Sequence, residues 1–92
     1  MIEFLIHEDK DNVGVAVVDI KAGKQAGGRS LHGKAKPKLK ALMEIPLGHK
    51  IALQNFKTGD TVIKYGEDIG KVVAPIKKGD HVHVHNVKTK RW

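Results

Sequence analysis

Pro75-Ile76-Lys77-Lys78-Gly79-Asp80-His81-Val82-His83-Val84-His85 sets a glycine-centred turn directly ahead of an alternating run. Asn55-Phe56-Lys57-Thr58-Gly59-Asp60 has the same pattern and leads into Thr61-Val62-Ile63-Lys64-Tyr65. Asp19-Ile20-Lys21-Ala22-Gly23-Lys24 is a third version. Each has an apolar residue, Lys-x-Gly and a polar residue, the signature of a reverse turn in which glycine takes the positive φ that a Cβ disfavours. The runs around these turns are short and β-branched: Ile2 to Ile6, Val13 to Ile20, His49 to Gln54, Gly70 to Val73. No amphipathic helix of three turns can be drawn through residues 45–92. The expectation is an all-β domain of short, bent strands.

Ninety-two residues are enough for one domain with one modest core. A chain of this size does not enclose a deep active-site cavity of its own. Hydrophobic residues make up 40% and only four residues are aromatic, Phe4, Phe56, Tyr65 and Trp92, so the core rests on aliphatic side chains. With no cysteine there are no disulfides, thiolate metal ligands or thiol nucleophiles. No apolar run is long enough to cross a bilayer, and no leader-like segment follows Met1. The reading is a soluble cytoplasmic domain with no membrane partner.

The net charge of +7 is concentrated in one place. Lys21, Lys24, Arg29, Lys34, Lys36, Lys38 and Lys40 lie between Ile20 and Met43 without an acidic residue, and the rest of the chain is balanced. Glycines and Pro37 interrupt this stretch, so residues 21–43 are expected to form a flexible basic loop, with a short helical turn near residues 38–43. A solvated connection, a dock for an acidic partner and a steering device for an anionic substrate all fit it. Nucleic acid ranks last, because the segment has no aromatic residue for stacking and a single arginine.

Strand periodicity puts His81, His83 and His85 on one face and Val82 and Val84 on the other. Neutral imidazoles two residues apart on a strand can reach one divalent ion. An incidental polar face is the competing reading. His7, followed by acidic residues and Asn12, and Gly48-His49-Lys50 stand at strand ends, where small β-domains present sites. No catalytic triad, phosphate-binding loop or His-Glu-x-x-His helix is present, so the chain does not read as a complete enzyme.

His7-(x3)-Asp11-Asn12-Val13, Ile45-Pro46-Leu47-Gly48-His49-Lys50-Ile51-Ala52-Leu53, Val62-Ile63-Lys64-Tyr65-Gly66, Ile69-Gly70 and Gly79-Asp80-His81-Val82-His83-Val84-His85-Asn86 occur in this order. That series resembles the small domain of the altronate dehydratase family of hydroxy-acid lyases, over nearly all of the chain outside about residues 24–42. The resemblance implies a β-clip fold of the SAF type. It also implies an enzyme that eliminates a β-substituent from a small anionic hydroxy acid, with a separate large lyase subunit as partner. Within the family, a free-standing chain ending in Lys90-Arg91-Trp92 is most similar to the alpha subunit of the (R)-sulfolactate sulfo-lyases, which release sulfite and leave pyruvate. The alternatives are an altronate- or galactarate-type dehydratase and a non-catalytic sugar-acid-binding module.

The resemblance implies His49 and Lys50 as catalytic residues, and His7, Asn12, His81 and Asn86 as substrate contacts. It implies His83 and His85 as ligands of a divalent metal, iron in this reading, shared with or held mainly by the large subunit. The lysine-rich segment departs from the family pattern and puts the strand pairing there in question. Trp92 is a candidate interface anchor.

Overall fold

The computed structural model describes residues 2–32 and 35–89. The expectations placed on Lys34 and on Lys90, Arg91 and Trp92 lie outside the described residues. Nine strands and no helix are found among the described residues: β1 (Phe4–Ile6), β2 (Val13–Ala16), β3 (Gln25–Ser30), β4 (Ala35–Lys40), β5 (Lys50–Ala52), β6 (Thr61–Lys64), β7 (Glu67–Val72), β8 (His81–Val82) and β9 (Val87–Thr89). A six-stranded sheet runs β4-β3-β1-β2-β5-β8 and a three-stranded sheet runs β6-β7-β9. All pairs are antiparallel except β1 with β3. The domain is all-β, consistent with a SAF-like fold.

One turn occurs four times and organises the chain. Each copy starts at a buried residue (Ala16, Ala41, Ala52, Val72) and reaches a buried apolar one four positions on (Ile20, Ile45, Phe56, Ile76). It closes at a glycine three positions further, Gly23, Gly48, Gly59 or Gly79, with φ between +86° and +97°. The residue after each glycine donates its N–H back across the turn at 2.9–3.1 Å, for example His49 to the Pro46 carbonyl. Positive φ at the third position with this bond defines a type II turn. Three copies carry the Lys-x-Gly signature; the fourth, Ile45-Pro46-Leu47-Gly48, replaces that lysine with proline and is less visible in the sequence.

The copies interlock in pairs. Ile20 and Ile45 exchange backbone hydrogen bonds at 2.8–2.9 Å, as Phe56 and Ile76 do at 2.8–3.0 Å. Gly23 donates to the Ala41 carbonyl and Gly48 to that of Ala16; Gly59 and Gly79 do the same with Val72 and Ala52. Each pair has its own core: Phe4, Ile6, Ile20, Leu39, Ile45 and Ile51 around the first, Val13, Phe56, Val62, Ile76, Val82 and Val87 around the second. Burying each of the four apolar turn residues contributes about 1.5–3 kcal/mol.

The expected basic loop is a β-hairpin instead, and no helical turn forms among its described residues. On β3 the small residues Ala26, Gly28 and Ser30 alternate into the interior, while Gln25 and Arg29 face solvent. Gly28 is required there, because a Cβ would overlap the Phe4 ring that lies against it. Small residues alternating over six positions constitute a strand pattern that the lysine count conceals. Strand β4 lies at the sheet edge, and its pairing with β3 slips between the Ala26↔Leu39 and Gly28↔Lys36 pairs, which gives β4 one extra residue at Pro37–Lys38. Lysines, a proline without an N–H and a bulge are the means by which an edge is kept from pairing with other chains. The segment's composition therefore fits an edge strand.

Candidate functional site

Strand β5 pairs with β8 in the register Lys50↔Val82 and Ile51↔His81. Carried one residue further, that register sets His49 opposite His83. The two rings stack with centroids 4.1 Å apart and planes 20° apart. His49 Nδ1 lies 2.7 Å from His81 Nε2, so one ring donates and the other accepts. The His81 and His83 rings are 5.5 Å apart and nearly parallel. One nitrogen from each of His49, His81 and His83 falls within 4.8 Å of the others. His85 flanks the group, its ring 5.2 Å from that of His81 and tilted by 42°.

The expected strand of residues 81–85 stops at Val82, and Val84 points outward, 65% exposed rather than buried. Asn86 is the cause. Its Oδ1 accepts the His83 N–H at 3.0 Å and its Nδ2 donates to the His81 carbonyl at 2.8 Å. Asn86 and Val87 also donate their backbone N–H groups to the His83 carbonyl. The chain folds into a turn that brings the His83 ring back over His49. Asn86, expected as a substrate contact, is itself buried, and its amide is engaged in this turn.

His49 owes its position to the turn repeat. In two other copies the residue after the glycine is Asp60 or Asp80, whose carboxylate accepts the N–H of Lys57 or Lys77 at 2.8 Å. Pro46 has no N–H to satisfy, so position 49 is released from that role and its side chain can join the cluster.

The electrostatics favour neutral rings at His81 and His83. Burial pushes His81 down to about 4, with repulsion from His49, His85, His83 and Lys50 adding to it. His83 is also lowered, first by burial and then by His49, Lys50 and His85. Neutral imidazoles offer lone pairs to a metal ion. A first-row ion with nitrogen ligands at about 2.0–2.1 Å needs its donors roughly 3–3.4 Å apart, and the three nitrogens here lie within 4.8 Å of one another. Three imidazoles with open positions suit iron, zinc or nickel alike. The cluster therefore fits a divalent metal, and it takes His49 and His81 with His83 where the sequence pointed to His83 and His85.

Lys50 borders the cluster and shares with His83 a small hollow of about 40 Å³ closed by Val62, Ile69, Val82, Val84 and Val87. Its ammonium is held below the usual lysine range mainly by burial and secondly by Lys64. Two other expected contacts have partners of their own. Asn12 spends its amide on strand β6, donating to the Thr61 carbonyl at 3.0 Å and accepting the Ile63 N–H at 2.8 Å. His7 packs on Tyr65, with ring centroids 4.1 Å apart. Sequence reading quoted Lys64 and Tyr65 within a motif but gave them no role, although a Tyr-Gly pair between two strands, where Asn-Gly is the favoured turn, was a legible signal.

The profile of the altronate/galactarate dehydratase SAF domain matches residues 2–90. The chain is 46% identical over 92 residues to the (2R)-sulfolactate sulfo-lyase subunit alpha of Chromohalobacter salexigens, covering 99% of this chain and 98% of that one. It is 62% identical over 55 residues to the protein of the same name from Paracoccus pantotrophus, covering 60% of this chain and 82% of that one. It is 38% identical over 89 residues to the altronate dehydratase of Bacillus subtilis, covering 97% of this chain but only 17% of that protein.

Proposed function

The chain belongs to the altronate/galactarate dehydratase SAF-domain family, and on that footing we propose that it is the small subunit of a lyase that releases sulfite from (2R)-sulfolactate. The observation that carries this reading is the four-imidazole cluster, in a chain whose similarity to a sulfo-lyase alpha subunit runs from end to end. The reaction removes the C2 proton and breaks the C3–S bond, whose electron pair leaves with sulfite. The resulting enol becomes pyruvate. The substrate is a small dianion, and a large subunit working in the cytoplasm completes the site.

His49, His81 and His83 would hold the divalent ion, read here as iron. When bound, such an ion supplies Lewis-acid stabilisation of negative charge on substrate oxygen. Lys50 places a cation beside the cluster for the carboxylate or sulfonate group, and its partial burial strengthens that attraction. His85 stands outside the three converging nitrogens and is exposed, so it is free to exchange a proton with the leaving group or solvent. Asn86 fixes the backbone that carries His81 and His83.

A second reading, water elimination from altronate or galactarate, is supported by the likeness to the altronate dehydratases, in which the same domain is a small part of a longer chain. Co-expression with the large subunit, followed by assay of sulfite release from (2R)-sulfolactate and dehydration of altronate, decides between them. Sulfite release that His83→Ala abolishes is the expected result. A large subunit equally active without this chain refutes the role given to it.

A further inference from the structure

Tyr65 and Gly66 form the two-residue turn between β6 and β7, and both have positive φ, 56° and 72°. In a turn with two positive φ values the first position favours asparagine, aspartate or glycine, and tyrosine there is an outlier. The turn is held from outside the hairpin. Buried Asp11 accepts the Tyr65 N–H at 3.1 Å and the Gly66 N–H at 2.8 Å, and the Glu8 N–H at 3.2 Å fixes the carboxylate. This arrangement gains little core, because Tyr65 is 57% exposed. It holds a phenol in the open, with the His7 ring 4.1 Å from the Tyr65 ring and the Lys64 ammonium 4.8 Å from its centroid. Backbone strain retained for an exposed side chain points to a use for that side chain.

We propose that Tyr65, His7 and Lys64 form an oxyanion-binding element of the substrate site, which seats an acid group of the hydroxy acid. A hydroxyl, an imidazole and an ammonium are all donors, and together they match a carboxylate or sulfonate. The charge of Lys64 helps to hold Lys50 below the usual lysine range, and Lys50 shares a hollow with His83. The identity of the substrate rests on the lyase reading above, whereas the anion chemistry rests on this geometry alone.

The test titrates the full chain with acetate and with methanesulfonate while backbone amide NMR shifts are followed, in wild type, Tyr65→Phe and Tyr65→Gly. Shifts at His7, Lys64, Tyr65 and Gly66 are expected in wild type, weaker in Tyr65→Phe and absent in Tyr65→Gly. Stronger shifts with methanesulfonate identify the sulfonate as the group seated, and stronger shifts with acetate identify the carboxylate. Relief of the positive φ is expected to raise the melting temperature of Tyr65→Gly by roughly 2–6 °C, which separates lost binding from lost folding. In the two-subunit enzyme, Tyr65→Gly is expected to raise KM for sulfolactate about tenfold or more with a smaller change in kcat. Shifts absent at these residues, or identical in wild type and Tyr65→Gly, or an unchanged KM in Tyr65→Gly, overturn the proposal. A wild-type pair that releases no sulfite while the shifts persist refutes the lyase reading and leaves the anion element standing.

Discussion

Replacing Asn86 by alanine removes both hydrogen bonds that shape the histidine turn, one to the His83 N–H and one to the His81 carbonyl. Each contributes about 0.5–1.5 kcal/mol, and a buried group left without a partner costs about 1–3 kcal/mol. Water can reach the exposed half of the turn, so a total of about 2–4 kcal/mol is expected. For a domain of this size that is a fall in melting temperature of roughly 10–25 °C. Aspartate at the same position keeps an acceptor for the His83 N–H but sets an oxygen against the His81 carbonyl, so Asn86→Asp is expected to lose about half as much. The rings of His81 and His83 lose their relative placement in Asn86→Ala, and affinity for cobalt or zinc is expected to drop about 10–100-fold, as with other groups that orient ligands. Thermal denaturation with calorimetric metal titration measures both effects. A variant that melts within about 2 °C of wild type and binds metal normally, yet has a raised KM, would make Asn86 a substrate contact and refute this reasoning.

Acidification should destabilise the metal-free chain. The unfolded chain takes up a proton on His81 near 6.5 and the folded chain only near 4, so stability falls as pH drops through that window and levels off below it. Glu3 adds to the fall at lower pH: the Gly27 N–H and Lys24 hold its carboxyl below the ordinary value, a contribution present above 4.5 and lost as the folded group protonates. Melting curves from pH 7.5 to 4 check this, and His81→Asn should flatten the upper part; an unchanged slope in that variant sinks the assignment. His83→Ala should lower metal affinity by more than the roughly 10–100-fold typical of an outer-shell loss, measured by competition with a chelating dye. Gly28→Ala should cost about 1–3 kcal/mol by forcing the Phe4 ring aside, and adding Phe4→Leu should recover part of the loss in a denaturant titration. Exchanging Pro46 for lysine and His49 for aspartate together should leave the melting temperature within a few degrees of wild type and abolish metal binding, because the new carboxylate would accept the restored N–H as Asp60 and Asp80 do in their own copies.

The strands rich in valine and isoleucine, and three of the four turns, could be read directly, because a β-branched run and a glycine after Lys-x report local conformation. The hairpin of β3 and β4 could not, because its lysines face solvent while the residues that settle its register are Ala26, Gly28 and Ser30. Side chains with so little apolar surface leave hardly any trace in a hydrophobicity pattern. The convergence of His49 with His81 and His83 was legible as a group of residues but not as a geometry. The alternation of residues 81–85 promised a flat strand, and only the long-range pairing of β5 with β8, together with the side chain of Asn86, shows where the chain leaves it. Asn12 and Asp11 were visible as polar residues in a turn, yet their partners lie 49 to 55 positions away. Separations of that size are outside the reach of any local pattern.

The fourfold turn explains how a domain with so little core supports a site at all. In a regular copy the polar side chains are committed to the backbone. Asp60 and Asp80 satisfy the lysine N–H groups two residues before their glycines, and Asn55 and Asp19 cap the paired copy through Lys78 and Leu47. A side chain committed in this way is not available for chemistry. Proline at position 46 removes one N–H from the scheme, and with it the need for a carboxylate at position 49. The backbone of that copy still closes, since the His49 N–H reaches the Pro46 carbonyl at 2.9 Å and Gly48 still donates to Ala16. The scaffold thus loses nothing that its folding requires, and one imidazole is released at the mouth of β5, across from the turn that Asn86 bends. The first copy also lacks the carboxylate, with Lys24 after Gly23, so the repeat closes with other side chains at this position, and in the copy of Pro46 the side chain placed there is the imidazole that joins the cluster.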